Sequence, residues 1–462
     1  MTATSDHDAV INAAIEGRDQ LVATAADAAR RYLAELPERR VAPGDAAVAR
    51  LAELTSELPD KPLDAAEVLR QLDEIGSAAT VASAGPRYFG FVVGGTLPVA
   101  TAASVLGSAW DQNCAYHVHT PIGATLDEIA IRWVGELLGL PAGTGGGFVS
   151  GASTANSTCL AVARDQVLIR AGWNALADGL VGAPPVQVVV GEEVHPTVLK
   201  GLGLIGLGRD RALRLPVDEQ GRIIPRDLPE LQRPAIVVLQ AGNVNSGASD
   251  PFDPLIDWAH DNGAWVHVDG AFGIWAAATP GRADQVLGVE RADSWATDAH
   301  KWLNTTYDSG IALVRDPEAL RASMAMTAAY LVPSEHREPG HYTPAMSQRA
   351  RGMEVWAVLA SLGRAGLADL VEHNCRMATR FGDGLRAAGF RVLNDVVLNQ
   401  VVVTVDDGSI SEIIDRVQRD GTCWAGPTTW RGRQAMRISV SNWSTTEADV
   451  DKSIAAIAAA RL

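Results

Sequence analysis

Lys301 lies within Asp298-Ala299-His300-Lys301-Trp302-Leu303-Asn304, 32 residues beyond the aspartate of His267-Val268-Asp269-Gly270-Ala271. A lysine amine and a carboxylate are the two groups that pyridoxal 5'-phosphate chemistry asks of a protein. The amine forms a Schiff base with an aldehyde, and the carboxylate keeps a pyridine nitrogen protonated so that the ring draws electrons out of a substrate carbon. Taken singly, Lys301 reads as a solvated surface lysine and Asp269 as a strand-end turn former. Their settings change that balance. Trp265-Val266-His267-Val268 predicts a fully buried strand ending at Asp-Gly, and Asp293-Ser294-Trp295-Ala296-Thr297 predicts another ending at Asp298. Both groups then fall at strand ends, where open α/β sheets bind ligands.

A third feature lies upstream. The stretch from Thr144 to Asn156 is rich in Gly, Ser, Ala and Thr and reads as a turn running into a helical segment, Ser157 to Asp165. Small side chains let backbone N–H groups close on a phosphate, the helix N-terminus adds partial positive charge, and Ser153 and Thr154 offer hydroxyls. A plain helix N-cap uses the same residue types. The stretch matches neither a Walker loop nor a well-placed Gly-x-Gly-x-x-Gly, so a nucleotide site is not favoured.

Together these motifs resemble the group II pyridoxal-phosphate-dependent amino-acid decarboxylases, the aromatic-amino-acid and glutamate decarboxylases of fold type I. The resemblance runs from about Pro86 to the C-terminus, and Asp-Ala-His-Lys-Trp-Leu is its most specific part. It implies Lys301 as the Schiff-base lysine, Asp269 as the partner of the pyridine nitrogen, Ala271 as the small residue under the ring and His195 as the histidine stacked on its face. It implies Ala152, Ser153, Asp298 and His300 on the phosphate side. It further implies a mobile loop between Ala329 and Ala350 carrying an acidic tyrosine, with Tyr342 the candidate and Tyr330 its rival, and a homodimer in which that loop reaches the partner's cofactor. Read from the residues alone, His195 is equally a helix cap or a packed core residue, and His300 shares that ambiguity. Arg349 and Arg351 suit a phosphate or carboxylate, or an ordinary ion pair.

The elements that must position these groups read as α/β. Buried runs at Val186–Val190, Ala235–Leu239, Trp265–Val268, Ser294–Thr297 and Ile311–Val314 alternate with helices, which argues a mostly parallel sheet covered on both faces. The resemblance makes this a seven-stranded, fold type I sheet. Before it, helical patterning spans about Val10 to Leu36, followed by a connector at Ala42-Pro43-Gly44. After it come a helix from about Ala350 to Ala365, strand-like Val401–Val405 and Arg437–Ser441, and a last helix capped by Thr445 or Thr446. The expected division is an N-terminal helical segment at 1–85, a large domain at 86–320 and a smaller α+β domain at 321–462.

Composition sets the outer limits. With 462 residues, 44 glycines and 20% charged residues the chain supports a large buried core. Its net charge of -16 argues against nucleic acid as a partner. Cys114, Cys159, Cys375 and Cys423 form no CxxC or zinc spacing, and the N-terminus lacks a signal-peptide pattern, so a reduced, cytoplasmic protein is expected. The uncharged stretch Tyr88–Trp110 is long enough to span a bilayer, but Gly94, Gly95 and Pro98 break it into a loop and a short buried helix. His117 and His119 share a strand face but lack a third ligand, so no metal is expected.

The substrate is read as a small-molecule amino acid, with no choice made among aromatic, acidic and diamino ones. Tyr88, Phe89, Phe91 and Trp110 could line an apolar side-chain pocket or belong to the core. Ala241-Gly242-Asn243-Val244-Asn245-Ser246-Gly247 replaces the threonine-rich turn expected of the resembled family, and Asn243 and Asn245 could offer amides to the cofactor or substrate. The implied reaction is decarboxylation of an L-amino acid. A related enzyme cleaving another bond and a non-catalytic scaffold of the same fold are the alternatives, because which bond is aligned with the ring is a matter of geometry.

Overall fold

The apolar runs between Val186 and Val314 become strands of one sheet in the computed structural model, which describes residues 4–54, 57–326 and 335–461. The sheet comprises β1 (Gly145–Val149), β2 (Gln187–Gly191), β3 (Leu213–Leu215), β4 (Ala235–Gln240), β5 (Trp265–Asp269), β6 (Ser294–Asp298) and β7 (Gly310–Val314), in the order β1-β7-β6-β5-β4-β2-β3. β7 runs antiparallel to both neighbours and the other pairs are parallel. The expected mostly parallel seven-stranded sheet is the one observed. Its central strands are buried on both faces, which is why they read as continuous apolar runs rather than as alternating ones.

The longer helices are α1 (Thr4–Glu35), α2 (Pro98–Trp110), α3 (Pro121–Leu137), α4 (Ala152–Arg170), α5 (Pro196–Leu204), α6 (Phe252–Asp261), α7 (Pro317–Met324), α8 (Arg351–Ala387), α9 (Ile410–Asp420) and α10 (Glu447–Ala459). None among the described residues is long and apolar enough to cross a membrane. The helix expected at 350–365 is only the first part of α8, which changes direction at Gly363, where φ is 60°.

Two expectations need correction. The first half of the Thr144–Asn156 turn is strand β1. A Cβ on Gly145 would lie 2.7 Å from Pro317, and one on Gly147 would lie 2.6 Å from the Tyr342 carbonyl oxygen. The glycines therefore serve close packing along an edge strand rather than a turn. The helix α2 is not buried as expected: Ala100 is enclosed, but Val105, Leu106 and Trp110 face outward.

The C-terminal layer is a second, antiparallel sheet of β8 (Arg391–Val392), β9 (Gln400–Thr404), β10 (Gly426–Trp430) and β11 (Arg433–Ser439), ordered β10-β11-β9-β8. Its core joins residues of α8, α9 and α10. Thr446 caps α10 in a reciprocal capping box with Asp449. The segment after Pro86 is tied to this layer: Arg87 donates to the Thr422 carbonyl at 2.8 Å, and the Ser439 N–H donates to the Phe89 carbonyl at 2.9 Å.

Candidate active site

Parallel strands β5 and β6 end side by side at Asp269 and Asp298, and the chain leaving β6 turns back at once through His300 and Lys301. This brings the two carboxylates and the lysine to one cavity of about 350 Å³, together with His195 at the start of α5 and Ala152, Ser153 and Thr154 at the start of α4. The volume lies in the range of small-molecule sites. Two close backbone approaches shape it. A Cβ on Gly94 would stand 1.6 Å from the Lys301 carbonyl oxygen, and one on Gly310 would stand 2.4 Å from the Gly151 Cα. Neither position accepts a side chain while the cup stays closed.

Asp298 links the two sides of the cup. One of its oxygens accepts the Ala152 N–H at 2.6 Å and the other lies 2.9 Å from Lys301 Nζ. His300 Nδ1 accepts the Ser309 N–H at 3.1 Å, and burial lowers this imidazole's pKa. Asp269 is buried with Ala271 beside it in the cavity, and the Ala271 N–H donates to its carboxylate at 3.2 Å. Burial raises the Asp269 pKa, while His195 and Lys301 pull against that rise. His195 combines two readings: its Nδ1 caps α5 by accepting the Thr197 N–H at 3.3 Å, and its ring lines the cavity. Burial lowers its pKa.

Several candidates stand elsewhere. The Asn243 Oδ1 accepts the N–H groups of Asn245 and Ser246, so its amide closes its own turn while Gly242 and Val244 line the cavity. Tyr342 lies under the Arg337 guanidinium at 4.2 Å and lines a separate cavity beside β1, so in its own protomer it does not reach Lys301. Tyr330 lies outside the described residues. Arg349 and Arg351 both hold Asp308, at 3.3 Å and 3.1 Å, which is the ion-pair reading. His117 stacks on His336 at 3.8 Å, and no group of three or more metal-ligating side chains occurs among the described residues. Phe89 packs on Phe381 in the core, whereas Tyr88 and Phe91 both stack on Trp424, at 5.1 and 5.4 Å.

Three residues went unnoticed in the sequence. Tyr307 lines the cavity with its ring over His300 at 4.2 Å. Asn156 opposes the burial-driven rise of the Asp269 pKa. Arg437 extends from β11 to the carbonyl of the cavity residue Val244 at 3.3 Å, with no carboxylate partner among the described residues. An arginine set between the buried Met436 and Ile438 was the available signal for the last.

Residues 49–405 match the pyridoxal-dependent decarboxylase conserved domain. The chain belongs to that family. Among its relatives, an aromatic-L-amino-acid decarboxylase of Bacillus atrophaeus is 29% identical over 342 residues, covering 71% of this chain and 68% of that protein. A phenylacetaldehyde synthase of Arabidopsis thaliana is 26% identical over 377 residues, covering 75% and 74%. The structure of Oryza sativa TDC with PLP and tryptamine superposes with a TM-score of 0.88 at 23% identity, covering 96% of this chain and 97% of that one. This pyridoxal-dependent decarboxylase uses pyridoxal phosphate, and the donor set fits it: an amine, an acceptor carboxylate, a flanking imidazole and a helix N-terminus share one cavity.

The same site carries an acid-sensitive element. His267, enclosed in β5, is held down to about 3 by burial. An unfolded histidine titrates near 6.5, so the stability its neutral form confers is complete above that pH and is lost as pH falls toward 3. The difference is on the order of 4 kcal/mol. His267→Gln is expected to flatten the acid limb of a urea-unfolding series between pH 7 and pH 4; an unchanged slope would assign acid sensitivity to other groups.

Proposed function

We propose that this enzyme decarboxylates an aromatic L-amino acid, with Lys301 holding the cofactor carbonyl, Asp269 its ring nitrogen and the Ala152–Thr154 turn its phosphate. The observation that carries the reading is the convergence of Lys301, Asp269 and His195 on one strand-end cavity. When bound, pyridoxal phosphate supplies an electron sink for the bond broken at the substrate's alpha carbon. With the cofactor bound, Lys301 would hold its carbonyl, Asp269 would favour a protonated ring nitrogen and His195 would lie against it. Arg437 acts electrostatically on His195 and Tyr88, has no carboxylate partner among the described residues, and anchors the substrate carboxylate. The stacked Tyr88, Phe91 and Trp424 form an apolar shelf for an aromatic side chain.

The deciding experiment follows carbon dioxide release and oxygen uptake together over a panel of amino acids. Release from aromatic substrates without oxygen uptake is expected. Aldehyde formation with oxygen consumption would move the reading to the aldehyde synthases, which the Arabidopsis relative favours. Arg437→Met should raise KM by about ten- to a hundredfold, the loss of a charged hydrogen bond, with a smaller change in kcat. An unchanged KM would remove Arg437 from carboxylate binding. Tyr342→Phe should leave turnover within about threefold, since its ring serves packing under Arg337; a large loss would return it to the role of loop acid, acting across an interface.

A two-fold dimer is part of the proposal. Val105, Leu106 and Trp110 on α2, with Val118 and Ile122 nearby, leave apolar side chains exposed on a single chain. Sedimentation at working concentration is expected to give the dimer mass.

A further inference from the structure

Behind the cavity runs a continuous chain of polar side chains in direct hydrogen-bond contact. Trp265 Nε1 meets Ser294 Oγ at 2.9 Å, Ser294 Oγ meets His267 Nδ1 at 3.0 Å, and His267 Nε2 meets Asn156 Oδ1 at 2.9 Å. The Asn156 amide continues to Thr197 Oγ1 at 3.3 Å, and it also works to lower the pKa of the Asp269 carboxyl. Thr197 Oγ1 meets His195 Nδ1 at 2.8 Å. Trp265, Ser294, His267 and Asn156 are all buried.

The ends of this chain fix its direction. An indole N–H only donates, so Ser294 accepts from Trp265 and its hydroxyl proton is available to His267 Nδ1. His267 then carries its proton on Nε2 and donates to Asn156 Oδ1. From the other end, Asn156 works to lower the Asp269 pKa, which suits an NH₂ on the carboxylate side and the carbonyl toward His267. The two deductions agree at Asn156. Its second N–H goes to Thr197 Oγ1, and the Thr197 hydroxyl is left to donate to His195 Nδ1, which already accepts the Thr197 N–H.

We propose that Asn156 is a positioning residue that sets the proton arrangement of the site, presenting a neutral His195 with its proton on Nε2 toward the cavity and an Asp269 carboxylate held as acceptor. The inference is independent of which substrate bond is broken. His195 also faces Asp269, Lys301, Arg437 and Asp298, and of these the two cations oppose its protonation while the two carboxylates favour it.

Nitrogen-15 spectra of histidine-labelled protein test this, first on the cofactor-free enzyme and then on the loaded one. In both, His195 and His267 should each show a single tautomer, protonated on Nε2, unchanged between pH 6 and pH 8. Asn156→Leu should release His195 into a mixture of tautomers and lower kcat by about ten- to a hundredfold, as when groups orienting a catalytic ligand are lost. Ser294→Ala, two links away, should release His267. A His195 protonated on Nδ1 in the parent protein would overturn the proposal without any variant. So would a folded Asn156→Leu protein whose His195 signals do not change.

Discussion

Lys301→Ala is expected to lower turnover by at least about 10³-fold and to leave no cofactor fixed to the chain after borohydride reduction. No other lysine lines the cavity, so no second amine stands ready to replace it. The substitution also has a structural cost, because Lys301 neutralises Asp298, a buried carboxylate 2.9 Å away. Removing one partner of an enclosed pair leaves a charge whose desolvation is no longer offset. Part of that cost is cushioned by the Ala152 N–H at 2.6 Å from Asp298. Lys301→Arg separates the two roles. A guanidinium restores a cation beside Asp298 but stays protonated and cannot attack a carbonyl. Recovery of melting temperature without recovery of fixation or turnover is the expected pattern. Fixation that persists in Lys301→Ala would move the attachment site to another lysine, and absence of fixation in the parent enzyme would leave the non-catalytic reading of this fold standing.

The contrast between what the sequence made legible and what it concealed follows from the range of the interactions. Lys301 and Asp269 were recognisable because each sits immediately after a buried apolar run, so strand, strand end and chemistry are adjacent in the chain. His195 was singled out by its strand-end position and the family resemblance, its own residues leaving a helix cap equally open, and it is a helix cap that also lines the cavity. β1 was not, since three consecutive glycines look like a turn until the neighbours that crowd them, Pro317 and the Tyr342 backbone, are in place. Asn243 looked like a cofactor contact because an amide at a strand end has no local marker of which way it points; only the Asx turn with Asn245 and Ser246 decides it. Arg437 lies 136 residues beyond Lys301 and reaches the site through the second sheet, a relation no local pattern encodes. Asn156 was in view as part of a small-residue turn, yet the residues it acts on come from two other elements, β5 and α5.

Asp269→Asn should affect rate and stability in opposite directions. An amide cannot hold a proton on the pyridine nitrogen as a carboxylate does, so electron withdrawal weakens and turnover should fall by at least about 10²-fold. In the cofactor-free protein the sign is different. Burial raises the Asp269 pKa despite the opposing pull of His195 and Lys301. A carboxyl whose folded pKa lies above its unfolded value of about 3.9 contributes stability that is complete below that value and is lost as pH rises through the folded one. At neutral pH the buried Asp269 carboxyl is therefore a burden on the cofactor-free site, and Asn removes it while keeping the shape and an oxygen for the Ala271 N–H. The variant should be at least as stable as the parent without cofactor, with its advantage growing from pH 4 toward pH 8. With cofactor the order should reverse, because the parent alone gains a carboxylate–pyridinium pair. Thermal unfolding of both proteins, empty and loaded, across that pH range reads all four states. A cofactor-free Asn variant less stable than the parent at pH 8 would mean that the charge on Asp269 is already compensated by Lys301 and His195. The carboxylate would then be held ready for the ring by its neighbours, and the penalty of burying it would have been met before the cofactor arrives.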